Sequence, residues 1–162
     1  MPATLKEYPG TLATPAQFRE LADAYRDAAI LLLAASERRR PLSRAPFRLS
    51  AIQSIELYLN AYLLSHGHDA AEVRKLQHDL GARTELAAAA GLKLRQKTAE
   101  HLKTLHQNRE YLVTRYGPEL ASQTSQINRL TATLEEVARK VGASLPYGEI
   151  SKVPKQASAG AA

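Results

Sequence analysis

The stretch Ala51 to Leu64, AIQSIELYLNAYLL, is apolar on two rows of a helix at once. Ile52, Ile55, Leu59 and Tyr62/Leu63 recur at helical spacing, and Leu57 and Leu64 make a second row. A helix apolar on two rows is covered by neighbours on two sides, which places it at the centre of a bundle. One polar strip interrupts it: Gln53, Glu56 and Asn60, spaced three and four apart on one face. After a break at Ser65–Gly67 the chain restarts at Asp69 and reaches Leu76-Gln77-His78-Asp79-Leu80.

The remaining segments supply helices to surround this one. Thr14-Pro15-Ala16-Gln17 is a helix start, with a capping Thr, Pro at the first position and Gln three residues after the cap. The spacing predicts a first helix to about Glu37 with a stripe of Phe18, Leu21, Ala22, Tyr25, Ala28/Ala29 and Leu32. The central helix runs from Ala45 or Phe47 to His66. A third begins at the Asp69/Glu72 cap, buries Val73, Leu76, Leu80 and Leu86/Ala87, and stops at Gly91, with Gly81 marking an irregularity. A fourth spans Leu94 to Tyr116 on Leu94, Leu102, Leu105, Leu112 and Tyr116. Gly117-Pro118 breaks the chain, and Pro118 opens a fifth helix with the seam Ile127, Leu130, Leu134, Val137, Val141, ended by Gly142. The expected fold is all-α, a five-helix up-and-down bundle over 14–142, with an extended arm at 1–13 and a mobile tail at 143–162.

Composition agrees with one helical domain. The chain has 162 residues, 44% hydrophobic and only 6% aromatic, with alanine and leucine dominant. It contains no cysteine, which excludes disulfides and thiolate zinc sites. The N-terminal residues lack a signal-peptide layout, and the apolar run Ala28–Ala35 is too short to span a bilayer, so the expectation is a soluble, cytoplasmic protein without a membrane role. The net charge is +6 and the pI about 9.7, a balance that suits an anionic partner. The densest basic patch is Arg38, Arg39 and Arg40, followed by Arg44 and Arg48. Such a patch either opposes a helix C-terminal dipole or contacts phosphate.

Arg109 falls inside the apolar stripe of the fourth helix, four after Leu105 and three before Leu112. A buried arginine needs a carboxylate, and Glu56 on the polar strip is the candidate partner. The pair either stabilises the bundle or presents a phosphate-facing cation. The five histidines show no spacing used by zinc or di-iron bundles, and no metal site or other cofactor is expected. No glycine-rich phosphate loop and no nucleophile elbow is present.

ELYLNAYLL followed by KLQHDL resembles the HEPN family (higher eukaryotes and prokaryotes nucleotide-binding domain). The resemblance spans roughly Ala16 to Arg139. It implies a HEPN-like helical fold, a homodimer in which arginine-bearing helices meet, and His78-Asp79 as a structural turn. Ribonuclease members, often toxins, carry an Arg followed four to six residues later by His, with a nearby polar residue and Tyr. Here Arg109 matches the Arg, Asn108 the polar neighbour and Tyr116 the Tyr, while Thr114 stands where the His belongs. Threonine cannot move a proton near neutral pH as imidazole does. The expectation is therefore a non-catalytic module that binds RNA, a nucleotide or a protein such as a nucleotidyltransferase, with Arg109, Arg115 and Arg38–Arg40 as binding cations. Two alternatives stand beside it. One is a divergent metal-independent RNA endonuclease using Arg109, Asn108, Tyr116 and Glu56. The other is a purely structural scaffold or regulator.

Overall fold

The computed structural model describes residues 6–145. Among them it has seven α-helices: α1 (Pro15–Ala35), α2 (Ala45–Ser65), α3 (Ala70–Lys75), α4 (Leu80–Ala89), α5 (Gln96–Gln107), α6 (Glu110–Tyr116) and α7 (Ile127–Ser144). Short 3₁₀ helices occupy Pro41–Arg44 and Pro118–Gln123. The fold is all-α, and no described helix is long and apolar enough to cross a membrane. Residues 1–5 of the expected arm, and 146–162 of the expected tail, lie outside the described residues.

As its two apolar rows require, α2 is the hub. It packs against α1, α3, α4, α6 and α7, and even its Ser54 and Glu56 are buried. The α1 stripe is rotated from the expected one. Ala22 and Ala29 are fully buried, while Leu21 and Tyr25 stay partly exposed. Small side chains let the α1 and α2 backbones approach, and Ser54 Oγ donates to the Ala22 carbonyl at 2.8 Å across the contact. The seam on α7 is as the spacing predicts, with Leu130, Leu134, Val137 and Val141 buried.

Local capping chemistry decides several ends. Thr14 and Gln17 form a capping box at α1, and Asp69 and Glu72 form another at α3. Gly91 adopts φ +109 and closes α4, with the Leu92 N–H on the Ala87 carbonyl at 2.9 Å.

Four boundaries differ from the periodicity. The third expected helix is two, α3 and α4, because Gln77 turns left-handed (φ 49) and Asp79 caps a new helix by accepting the Ala82 N–H at 2.8 Å. The fourth is also two: Arg109 is left-handed at φ 51, which ends α5 and re-aims α6. Pro118 opens a 3₁₀ turn rather than the last α-helix. Gly142 does not end α7, which runs to Ser144; its missing side chain makes room for the Arg19 guanidinium, 3.2 Å from where a Cβ would stand.

Candidate binding site

Glu56 and Asn60 are one turn apart on α2 and face α4. The cation that meets them is Arg83, the fourth residue of α4 and 2% exposed. Its Nη2 is 3.4 Å from Glu56 Oε1, and its Nε donates to Asn60 Oδ1 at 2.7 Å. Burial pulls the guanidinium below its ordinary range, while Glu56 and Asp79 hold it up. The other Glu56 oxygen lies 3.2 Å from His78 Nδ1. His78 in turn stacks, tilted, on Tyr111 at the start of α6, with ring centroids 4.9 Å apart. Next to it, Asp79 divides its carboxylate between the α4 cap and His106 Nε2 at 3.4 Å. Two imidazole–carboxylate pairs therefore sit side by side where α2, α4, α5 and α6 meet.

The inner pair opens on a cavity of about 670 Å³. Gln53, Glu56 and Asn60 form one wall, His78 and Arg83 the next, and Arg74 and Gln77 the rim. The segment around Pro9-Gly10 closes the far side, where Tyr8 lies under the Arg74 guanidinium at 4.7 Å. The wall presents two amides, a half-exposed imidazole and cations around one buried carboxylate. Phe18, Leu21, Leu64 and Val73 complete the lining, so it suits a planar ligand with apolar faces and amide-like edges.

The residues expected at a site are distributed differently. Arg109 is exposed and does not pair with Glu56, which is engaged by Arg83 and His78. The left-handed turn at Arg109 breaks the stripe, so Glu110 turns inward instead, 1% exposed, against Arg48 and Ser125. Asn108 is an exposed C-cap of α5, and Tyr116 is 76% exposed at the end of α6. Thr114 donates its hydroxyl to the Glu110 carbonyl at 2.9 Å and, with Arg115, lines a small separate cleft. Arg38, Arg39 and Arg40 are exposed, and Arg40 pairs with Glu37 at 3.0 Å. His78 bonds to Glu56, and the capping at this turn is done by Asp79 alone.

Sequence reasoning missed Arg83, and it offered His106 as a possible proton carrier without placing it beside Asp79. Arg83 does carry the signal applied to Arg109: it lies inside the buried stripe Leu80, Thr84, Ala87. His106 shows none, since only folding brings α5 against the α4 cap. Among the described residues no three imidazoles or carboxylates converge as a metal site. Compared with known proteins, the chain matches no family model, no curated protein and no solved structure.

Proposed function

We propose that the chain is a HEPN-like module that binds a nucleotide, free or within RNA, without cutting it. The observation that carries this is the 670 Å³ cavity walled by Gln53, Asn60, Arg83 and His78 and rimmed by Arg74. Amides on the wall match the hydrogen-bonding edges of a base, and Arg74 at the rim matches a phosphate. Thr114 in place of the family histidine, with its hydroxyl spent on its own helix, supports the non-catalytic reading. Titration calorimetry with mononucleotides tests it. Binding should be detectable in wild type and lost in Gln53→Ala and Arg74→Ala; equal heats in all three would rule the cavity out.

The module acts as a homodimer in this reading. Leu112 and Tyr116, one turn apart on α6, are both exposed, so the arginine-bearing helix carries apolar surface for a second copy.

One observation favours the endonuclease reading. Two imidazoles held by carboxylates lie on the segments next to Arg109: His106 beside Asp79, three residues before it, and His78 beside Glu56, stacked on Tyr111 two residues after it. A carboxylate-held imidazole can carry a proton that Thr114 cannot. RNA cleavage in excess chelator, lost in both Arg109→Ala and His106→Ala, would establish this reading and remove the non-catalytic one.

A further inference from the structure

A second concavity, about 720 Å³, lies on another part of the surface, between the Pro41–Arg44 turn, the start of α2 and the start of α7. Its lining includes Arg38, Arg44 and Arg48 with Ser122, Ser125 and Asn128, and no acidic residue among the described ones. Arg48 is the informative member. It is only 9% exposed, and its Nη1 has no hydrogen-bond partner among the described residues. The carboxylate nearest its Nη1 among the described residues, Glu110, is 3.8 Å away, beyond hydrogen-bond reach. That carboxylate is occupied instead by Ser125, through its backbone N–H and its hydroxyl at 3.1 Å. Burial therefore lowers the Arg48 pKa more than Glu110 raises it. Arg44 Nε is likewise buried and without a partner. A desolvated guanidinium with unused donors is costly unless an anion completes it.

The start of α7 faces the same space. Its N-cap, Gln126, makes no side-chain capping bond, and its first turn carries no acid. The free N–H groups and the positive dipole end of an 18-residue helix thus add to the arginines. Tetrahedral oxyanions are the ligands that use forked guanidinium donors and helix N–H groups together.

We infer that this cleft is a phosphate-binding site, formed by Arg44, Arg48 and the start of α7, with Arg38 at its edge and Ser122 beside it. The inference does not rest on the nucleotide reading of the other cavity. The phosphate comes either from the backbone of a nucleic-acid strand or from a free phosphate compound.

The test uses the full chain with two probes: a fluorescent oligouridine followed by anisotropy across a salt series, and pyrophosphate followed by calorimetry. Arg44→Gln should weaken binding roughly tenfold or more. The slope of log affinity against log salt should become shallower by about 0.7 for each strand phosphate that the variant no longer neutralises. Ser122→Glu, an exposed change that keeps the arginine–Glu110 packing intact, should weaken it as well. Lys97→Gln, on an exposed position of α5 that lines neither cavity, should leave pyrophosphate binding unchanged. Pyrophosphate binding that depends on Arg44, without oligouridine binding, would keep the site and assign it to free phosphate compounds. Absence of binding by both probes, or equal affinities in wild type, Arg44→Gln and Ser122→Glu, would overturn the inference.

Discussion

Arg83 Nη2 stands 3.4 Å from Glu56 Oε1, so the polar strip of the central helix is answered by a buried cation from α4 and not by Arg109. Removing one partner of such a pair leaves an uncompensated charge in the interior. Glu56→Ala and Arg83→Ala should each cost about 3–5 kcal/mol. Arg109→Ala, on an exposed side chain, should stay within about 0.5 kcal/mol of wild type. Urea midpoints at unchanged slope measure all three.

Among the described residues, two that are not glycine hold left-handed backbone, Gln77 at φ 49 and Arg109 at φ 51. This conformation costs an L-residue roughly 1–2 kcal/mol, a penalty glycine avoids. Gln77→Gly and Arg109→Gly should therefore raise the melting temperature. A lower melting temperature would show that these side chains make interactions worth more than the backbone strain.

Stability should fall with acid in two stages. Burial, with Arg129 and Arg48 nearby, pushes the His101 imidazole from 6.5 down to about 4. The unfolded chain thus takes up this proton at a higher pH than the folded protein. The His101 contribution is complete above pH 6.5 and is lost as pH falls toward 4. Glu136 behaves in the usual carboxylate sense. Burial alone would raise it, but Lys140, the Thr98 hydroxyl and the Arg95 N–H together hold it down, from 4.5 to about 2. Its contribution is present above 4.5 and is lost as pH falls toward 2. Denaturant midpoints across this range should show both stages, and His101→Leu should flatten the upper one alone.

Dimer formation through α6 is checked by sedimentation. Wild type should sediment as a dimer, and Tyr116→Asp, which places a charge on a 76% exposed position, should shift it to monomer without lowering its melting temperature. An unchanged sedimentation coefficient would exclude α6 as the interface.

What the sequence determined by itself is everything that local chemistry decides. Two apolar rows made α2 central, Thr14–Gln17 and Asp69–Glu72 set helix starts, Gly91 set a stop, and alternating steps of three and four set the α7 seam. The polar strip Gln53, Glu56, Asn60 was also visible in the sequence, and it is the wall of the cavity. The partners of that strip were decided only by tertiary structure. Arg83 and Arg109 both interrupt apolar stripes, and periodicity treats them alike. They differ because a single left-handed residue at position 109 rotates α6 relative to α5 and turns Glu110, not Arg109, inward, whereas α4 continues unbroken through Arg83. Left-handed backbone at a non-glycine residue has no sequence signature, since packing imposes it against local preference. The same holds for His106 beside Asp79 and Arg48 before Glu110. Each pair joins residues on different helices, and their meeting depends on crossing geometry rather than on any spacing within one segment.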